Sequence, residues 1–149
     1  MLASASPRTP ESKHRLLYLG ADLELIAAVR RVFTEPDYRL VTCSDGESAV
    51  LFLKSEIQYD LMLIDFDRRG MEGLDLTRLA RSLGHRKQMP IILVAAKRLS
   101  SDKRSLARKS GVKECVTKTG DMGAVSDAIL RLIGIPGGRA GRPRSQPIT

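Results

Sequence analysis

The side chains with most to offer chemically are few. Asp65 ends the apolar run Leu61-Met62-Leu63-Ile64, and Lys118 follows the shorter run Cys115-Val116-Thr117. A carboxylate and an ammonium, if the fold brings their strand ends together, form at least an ion pair, which contributes about 0–1 kcal/mol where it is partly exposed. Asp67 follows Asp65 by two residues, and Asp22 stands before a helical pattern, where an N-cap carboxylate contributes about 1 kcal/mol. Other chemistries are poorly provided for. The two cysteines, Cys43 and Cys115, fit neither a metal site nor a redox motif by spacing, and read as reduced core residues. His14 and His85 have no His or Cys at ligand spacing and read as solvent-exposed loop residues. What is concentrated is positive charge: Lys97, Arg98, Lys103, Arg104, Arg108, Lys109 and Lys113 stand against the single acid Asp102.

Those side chains need a scaffold, and the hydropathy pattern supplies one. At 149 residues, with 42% hydrophobic side chains, the chain suits one globular domain plus tails. Apolar runs of four to six residues alternate with longer segments of helical period, the pattern of repeated βα units around a parallel sheet buried on both faces. Strands are expected at Leu16–Leu19, Tyr38–Cys43, Leu61–Ile64, Ile91–Ala95 and Glu114–Thr117, with Leu17, Leu19, Leu63, Ile64, Ile92, Val94 and Val116 at the centre of the sheet. Helices are expected from Asp22 to about Thr34, after a Ser44 or Asp45 cap, from Gly73 or Leu74 to Leu83, over Ser101–Ser110 with Gly111 as its stop, and over Asp121–Ile133. Residues 1–12 and 134–149 read as disordered tails, the second of them basic and rich in Gly and Pro, which leaves 13–133 as the domain. No run approaches the ~20 apolar residues that span a bilayer, and the N-terminus lacks a secretory pattern, so the expected location is the cytoplasm.

The string Tyr59-Asp60-Leu61-Met62-Leu63-Ile64-Asp65, followed by Gly70-Met71-Glu72-Gly73-Leu74, resembles the third strand and following loop of the receiver domain of bacterial response regulators. Pro90 before the fourth strand, Gly111-Val112 before the fifth and Thr117-Lys118 at its end fall in that family's order, so the resemblance covers residues 13–133. It implies a flavodoxin-like, doubly wound α/β fold of five parallel strands in the order 2-1-3-4-5 with five helices, ligands binding outside the carboxyl ends of the strands. It also implies roles. Asp65 takes the phosphoacceptor position, whose carboxylate attacks a phosphohistidine, and Lys118 takes that of the invariant lysine, whose ammonium neutralises phosphoryl oxygens. The surrounding positions depart from the family. Gly20 and Ala21 replace the acidic pair that helps to bind Mg²⁺, Ala95 replaces the Ser or Thr that contacts the phosphoryl group, and Cys115 replaces the switch aromatic. Arg68-Arg69 and Thr119 stand where the family has Met-Pro and Pro. Asp22 and Asp67 remain as weak candidate metal ligands. Mg²⁺ favours octahedral oxygen coordination, so no cofactor is expected unless this altered site still holds that ion. Placing Asp at positions 20 and 21 is the change expected to restore affinity.

Charge divides the chain. Residues 16–67 carry 4 basic and 10 acidic side chains, net −6, whereas residues 68–118 carry 14 basic and 4 acidic, net +10. A molecule polarised in this way orients an approaching partner, and its basic half attracts something acidic. In the resembled family the surface of the fourth helix, fifth strand and fifth helix makes dimer or output contacts. Lys103, Arg104, Arg108 and Lys109 are therefore the expected partner-binding face for an acidic protein surface, such as that of a histidine kinase or another signalling protein, and a homodimer stays open. Sequence-specific nucleic-acid binding is not expected, because no helix-turn-helix, zinc-finger or aromatic stacking pattern lies outside residues 13–133. Three readings follow. The first is a stand-alone atypical receiver, a binding module and not an enzyme, with little or no phosphorylation-driven switching. The second is a phosphorelay intermediate phosphorylated on Asp65 through an altered metal site. The third is a basic accessory protein that binds nucleic acid without sequence preference, which steep salt dependence would reveal.

Overall fold

Leu16 to Leu19 and Leu61 to Ile64 are wholly buried, which consecutive strand residues achieve only when both faces of their sheet are covered. The computed structural model describes residues 13–69 and 71–134 and has this arrangement. Strands β1 (His14–Leu19), β2 (Tyr38–Cys43), β3 (Leu61–Asp65), β4 (Ile91–Ala95) and β5 (Glu114–Thr117) make one parallel sheet in the order β2-β1-β3-β4-β5. The expected flavodoxin-like order is thus present, with β1 paired to both β2 and β3. Alternate strand residues enter two cores. Helices α1 (Leu23–Val32) and α6 (Gly123–Ile133) close the first over Leu16, Tyr18, Leu63, Ile92, Val94 and Val116. Helices α2 (Gly46–Lys54), α4 (Met71–Ser82) and α5 (Ser101–Ser110) close the second over Leu17, Leu19, Ile64 and Leu93. These are the five expected helices; a single turn, α3 (Phe66–Arg69), and a 3-10 turn at Gly84–Arg86 are additional.

Helix ends follow side-chain chemistry. Asp22 caps α1, its Oδ1 accepting from the amides of Glu24 at 3.0 Å and Leu25 at 3.2 Å, and Asp45, not Ser44, caps α2 by accepting from the Ser48 amide at 2.7 Å. Gly111 ends α5 at φ +113°, and a Cβ there would lie 2.6 Å from Arg81 Cγ, so both conformation and space require glycine. Strand β1 begins two residues before the expected Leu16, β3 runs one residue past Ile64 and α4 ends one before Leu83, and three helix boundaries differ by two residues or more. Helix α4 begins at Met71 and not at Gly73 or Leu74, because Asp65 Oδ1 accepts from the Asp67 amide at 3.1 Å and starts α3 where an open loop was expected. Helix α6 begins at Gly123, since the Asp121 carboxylate instead accepts from the Gly123 amide at 2.9 Å and Met122 is left-handed at φ 61°. Helix α1 stops at Val32, and the Thr34 carbonyl turns to accept from the Tyr38 amide at 3.0 Å.

The histidines are not loop residues: His14 opens β1 and stacks on Tyr38 at 4.9 Å, while His85 lies in the 3-10 turn with Nε2 2.9 Å from the Ser55 carbonyl oxygen. Two arginines of the basic half are structural. Arg86, 1% exposed, donates to the carbonyls of Leu53, Phe52 and Ser55 and so satisfies the carboxyl end of α2. Arg81 donates to the carbonyls of Gly111, Arg86, Lys87 and Met89. The tails expected at 1–12 and beyond 134 lie outside the described residues, and among the described residues no helix is long and apolar enough to cross a membrane.

Candidate functional site

The carboxyl ends of β1, β3, β4 and β5 converge on one crevice. Asp65 ends β3 there, and Lys118 is brought to it by its own backbone, whose amide donates to the Ala95 carbonyl at 2.8 Å. The lysine does not pair mainly with Asp65. Its Nζ lies 2.7 Å from Asp22 Oδ2 and 3.7 Å from Asp65 Oδ2, so the ion pair expected between β3 and β5 is second to one that ties β5 to the start of α1. Asp22 thus caps a helix with one oxygen and holds Lys118 with the other. Burial raises the Asp22 pKa, but the hydrogen bonds it accepts from Lys118 and from the Leu25 and Glu24 amides outweigh that and hold it below the ordinary carboxylate range. Burial likewise disfavours the Lys118 ammonium, and the bond to Asp22 with the fields of Asp65, Asp22 and Asp67 raises it above the ordinary lysine value.

The third carboxylate is also committed. Asp67 Oδ2 accepts from the Ala96 amide at 2.6 Å, bridging the end of β3 to the end of β4 beside Ala95, where the family's hydroxyl would stand. Ala95 itself is 2% exposed, and its side chain offers no polar atom. Cys115 is half-buried against the second core, and burial pushes its thiol up despite the cations of Arg108 and Arg104.

Sequence reasoning missed Tyr18. Its ring is fully buried, yet its hydroxyl reaches the crevice, 3.4 Å from Asp65 Oδ2 and 3.3 Å from the Asp22 amide that donates to it. Both contacts are long for hydrogen bonds. Burial pushes the phenol well up, so it stays neutral and donates. Tyr18 also explains Gly20: a Cβ at position 20 would lie 2.5 Å from the Tyr18 Cζ and hydroxyl oxygen. The signal was one aromatic in the otherwise aliphatic run Leu16-Leu17-Tyr18-Leu19, two residues before that glycine. In place of an acidic pair, Gly20 and Ala21 line an open hollow of about 420 Å³ with Leu23, Ile26 and Phe52.

These residues do not fit a resident Mg²⁺. Octahedral coordination needs carboxylate oxygens free to converge, whereas Asp22 spends both of its oxygens on Lys118 and backbone amides, Asp67 spends Oδ2 on the Ala96 amide, and positions 20 and 21 supply no carboxylate. No group of three His, Cys, Asp or Glu among the described residues is arranged around a metal position. The crevice can hold one ammonium among three carboxylates, with Asp65 Oδ2 facing, among the described residues, Lys118 and Tyr18 and its Oδ1 taken by α3.

The basic residues of α5 look to different sides of the helix. Lys103 Nζ lies 5.8 Å from the centre of the Phe66 ring, next to Asp65. Arg104 donates to the Leu99 carbonyl at 2.6 Å, and with Arg108 it flanks Cys115; Lys109 is exposed.

Comparison with known proteins gives the same picture at three levels. The sequence pattern described as "Response regulator receiver domain" matches residues 22–130. The chain is 27% identical over 130 residues to the signal transduction histidine-protein kinase BarA of Shigella flexneri; the match covers 84% of this chain, and the chain spans only 14% of that kinase. Among solved structures, a response regulator from Hahella chejuensis superposes with a TM-score of 0.68 at 22% identity, over 79% of this chain and 92% of that one. The receiver domain of a sensor histidine kinase of Pseudomonas aeruginosa, solved with a magnesium ion coordinated in its active-site cleft, gives 0.63 at 23% identity, over 80% and 96%. At those identities the structural likeness speaks for the fold.

Proposed function

The chain belongs to the response regulator receiver domain family, and from that premise we propose that it is an atypical receiver of two-component signalling, acting by protein interaction with little or no phosphorylation-driven switching. One observation carries the reading: the groups that would receive a phosphoryl group already have internal partners. Lys118 is held by Asp22 at 2.7 Å, and the Ala96 amide is held by Asp67 at 2.6 Å. An incoming phosphoryl group would add negative charge to a crevice with three carboxylates and one ammonium. Without a divalent cation that repulsion is left to the Lys118 ammonium, which is already paired with Asp22. Ala95 and Cys115 further deprive the domain of the hydroxyl and aromatic through which a phosphoryl group would be sensed.

Recognition then falls to a surface already in its binding form, and the cations of α5 suit an acidic face on a kinase or other signalling protein. The test is to incubate the protein with Mg²⁺ and a small phosphodonor and weigh it. The expected mass is that of the unmodified chain. A stoichiometric adduct that disappears in Asp65→Asn would overturn the reading in favour of a phosphorelay intermediate. The observation that favours this second reading is the nearness of Asp65 Oδ2 to Lys118, 3.7 Å.

A further inference from the structure

At the opposite end of the sheet, where β4 and β5 begin, lies a cleft of about 280 Å³ walled by Arg81, Lys87, Gln88, Pro90, Arg108 and Lys113 among others, with no carboxylate among the described residues that line it. Four cations around one concavity repel one another, and that repulsion is normally relieved by acids or by solvent. Arg81 is relieved by its carbonyl acceptors. Lys87, Arg108 and Lys113 are exposed, and none has a hydrogen-bonded or ion-paired side chain among the described residues.

The walls are fixed. Arg81 Nε and Nη2 hold the Gly111 carbonyl at 3.0 and 2.7 Å, and its Nη1 holds those of Arg86, Lys87 and Met89 at 3.0, 3.2 and 2.8 Å. The segment that carries Lys87 is thereby clamped to the turn that precedes Lys113. The Lys113 amide in turn donates to the Ile91 carbonyl at 2.8 Å, which sets where its side chain departs.

We propose that this cleft binds a small anion bearing one or two phosphate groups. With Arg81 spent on carbonyls, the Arg108 guanidinium and two lysine ammoniums remain, and that set matches a tetrahedral, multiply charged oxyanion better than a single carboxylate. Small-molecule pockets usually measure about 300–1,000 Å³, so a cleft of about 280 Å³, just below that range, receives a phosphate or diphosphate head and leaves any remainder of the ligand outside. The site is separate from the Asp65 crevice, and the proposal does not depend on how that crevice works.

The experiment is calorimetric titration of the full chain with inorganic pyrophosphate, free of divalent metal, at low and at physiological salt. Saturable 1:1 binding is expected, weakened by salt, with inorganic phosphate binding less tightly. Lys87→Ala and Lys113→Ala should each raise Kd about fivefold or more, since each removes a charged hydrogen-bond donor. Lys103→Ala and Lys109→Ala, on α5 but outside the cleft, should change it less than about twofold. All four residues are exposed, so the fold is expected to survive each change. Absence of saturable binding at low salt, or unchanged binding in both cleft variants, would overturn the proposal. So would preferential binding of a single-stranded oligonucleotide through Lys87 and Lys113, which would make nucleic acid the occupant.

Discussion

Asp22 and Lys118 make the folded crevice sensitive to pH at both extremes. The folded Asp22 lies below its ordinary value of 3.8, so its contribution to stability is present above 3.8 and is lost as pH falls through the lower folded value. Lys118 lies above its ordinary 10.5, so its contribution is present below 10.5 and is lost as pH rises through the higher folded value. Asp22→Asn keeps a competent helix cap while removing the charge. Thermal unfolding across pH should therefore show a shallower acid limb in this variant, and an unchanged limb would mean that the pair is not its source. Tyr18 alters what is expected of metal reconstitution. Asp at 20 and 21 alone should give no saturable Mg²⁺ binding at about millimolar concentration, because the Cβ of residue 20 meets the tyrosine ring. Adding Tyr18→Val should allow it. Calorimetry on the two variants decides, and binding in the first would remove Tyr18 from the account. Asp65 and Lys118 were legible in the sequence because each ends an apolar run. The nearer partner of Lys118 was not, since one-dimensional spacing places Asp22 and Lys118 96 residues apart.

Among the elements, the strands were the most legible. Ile91–Ala95 and Glu114–Thr117 coincide with expectation because both faces of the sheet are covered and every residue there must be strand-compatible. Helix starts were less so wherever an aspartate could bond the backbone in more than one way, as at Asp65 and Asp121. Arg81 and Arg86 were invisible as structural residues, because an arginine in a basic segment reads as solvated surface. Their effect is large. Arg86→Met should cost about 3 kcal/mol, since it leaves the last carbonyls of α2 without a donor while its Tyr59 contact, 5.1 Å from ring centre, is also lost. Denaturant unfolding should show a lower midpoint with an unchanged slope. Wild-type stability in this variant would mean that water serves those carbonyls equally well.

For the whole molecule, the charge asymmetry read from the sequence overstates the free basic surface, because Arg81 and Arg86 spend their guanidiniums on carbonyls. What remains around α5 governs encounter with a partner and its salt dependence. Reversing charge at Lys103, Arg104 and Arg108 should abolish binding to a partner recovered by pull-down. Asp65→Ala, its fold verified, should leave affinity within about threefold, which is roughly 0.65 kcal/mol. Affinity measured for both variants at two salt concentrations tests this, and the reverse outcome would make the crevice the recognition site. The ring of Tyr18 over Gly20 has a historical consequence as well. A lineage acquiring an acid at position 20 must first shrink residue 18, and that intermediate carries a buried cavity costing about 3–5 kcal/mol. The steps are ordered and the first is a loss, so the packing of one side chain acts as a ratchet against the arrival of an acidic site.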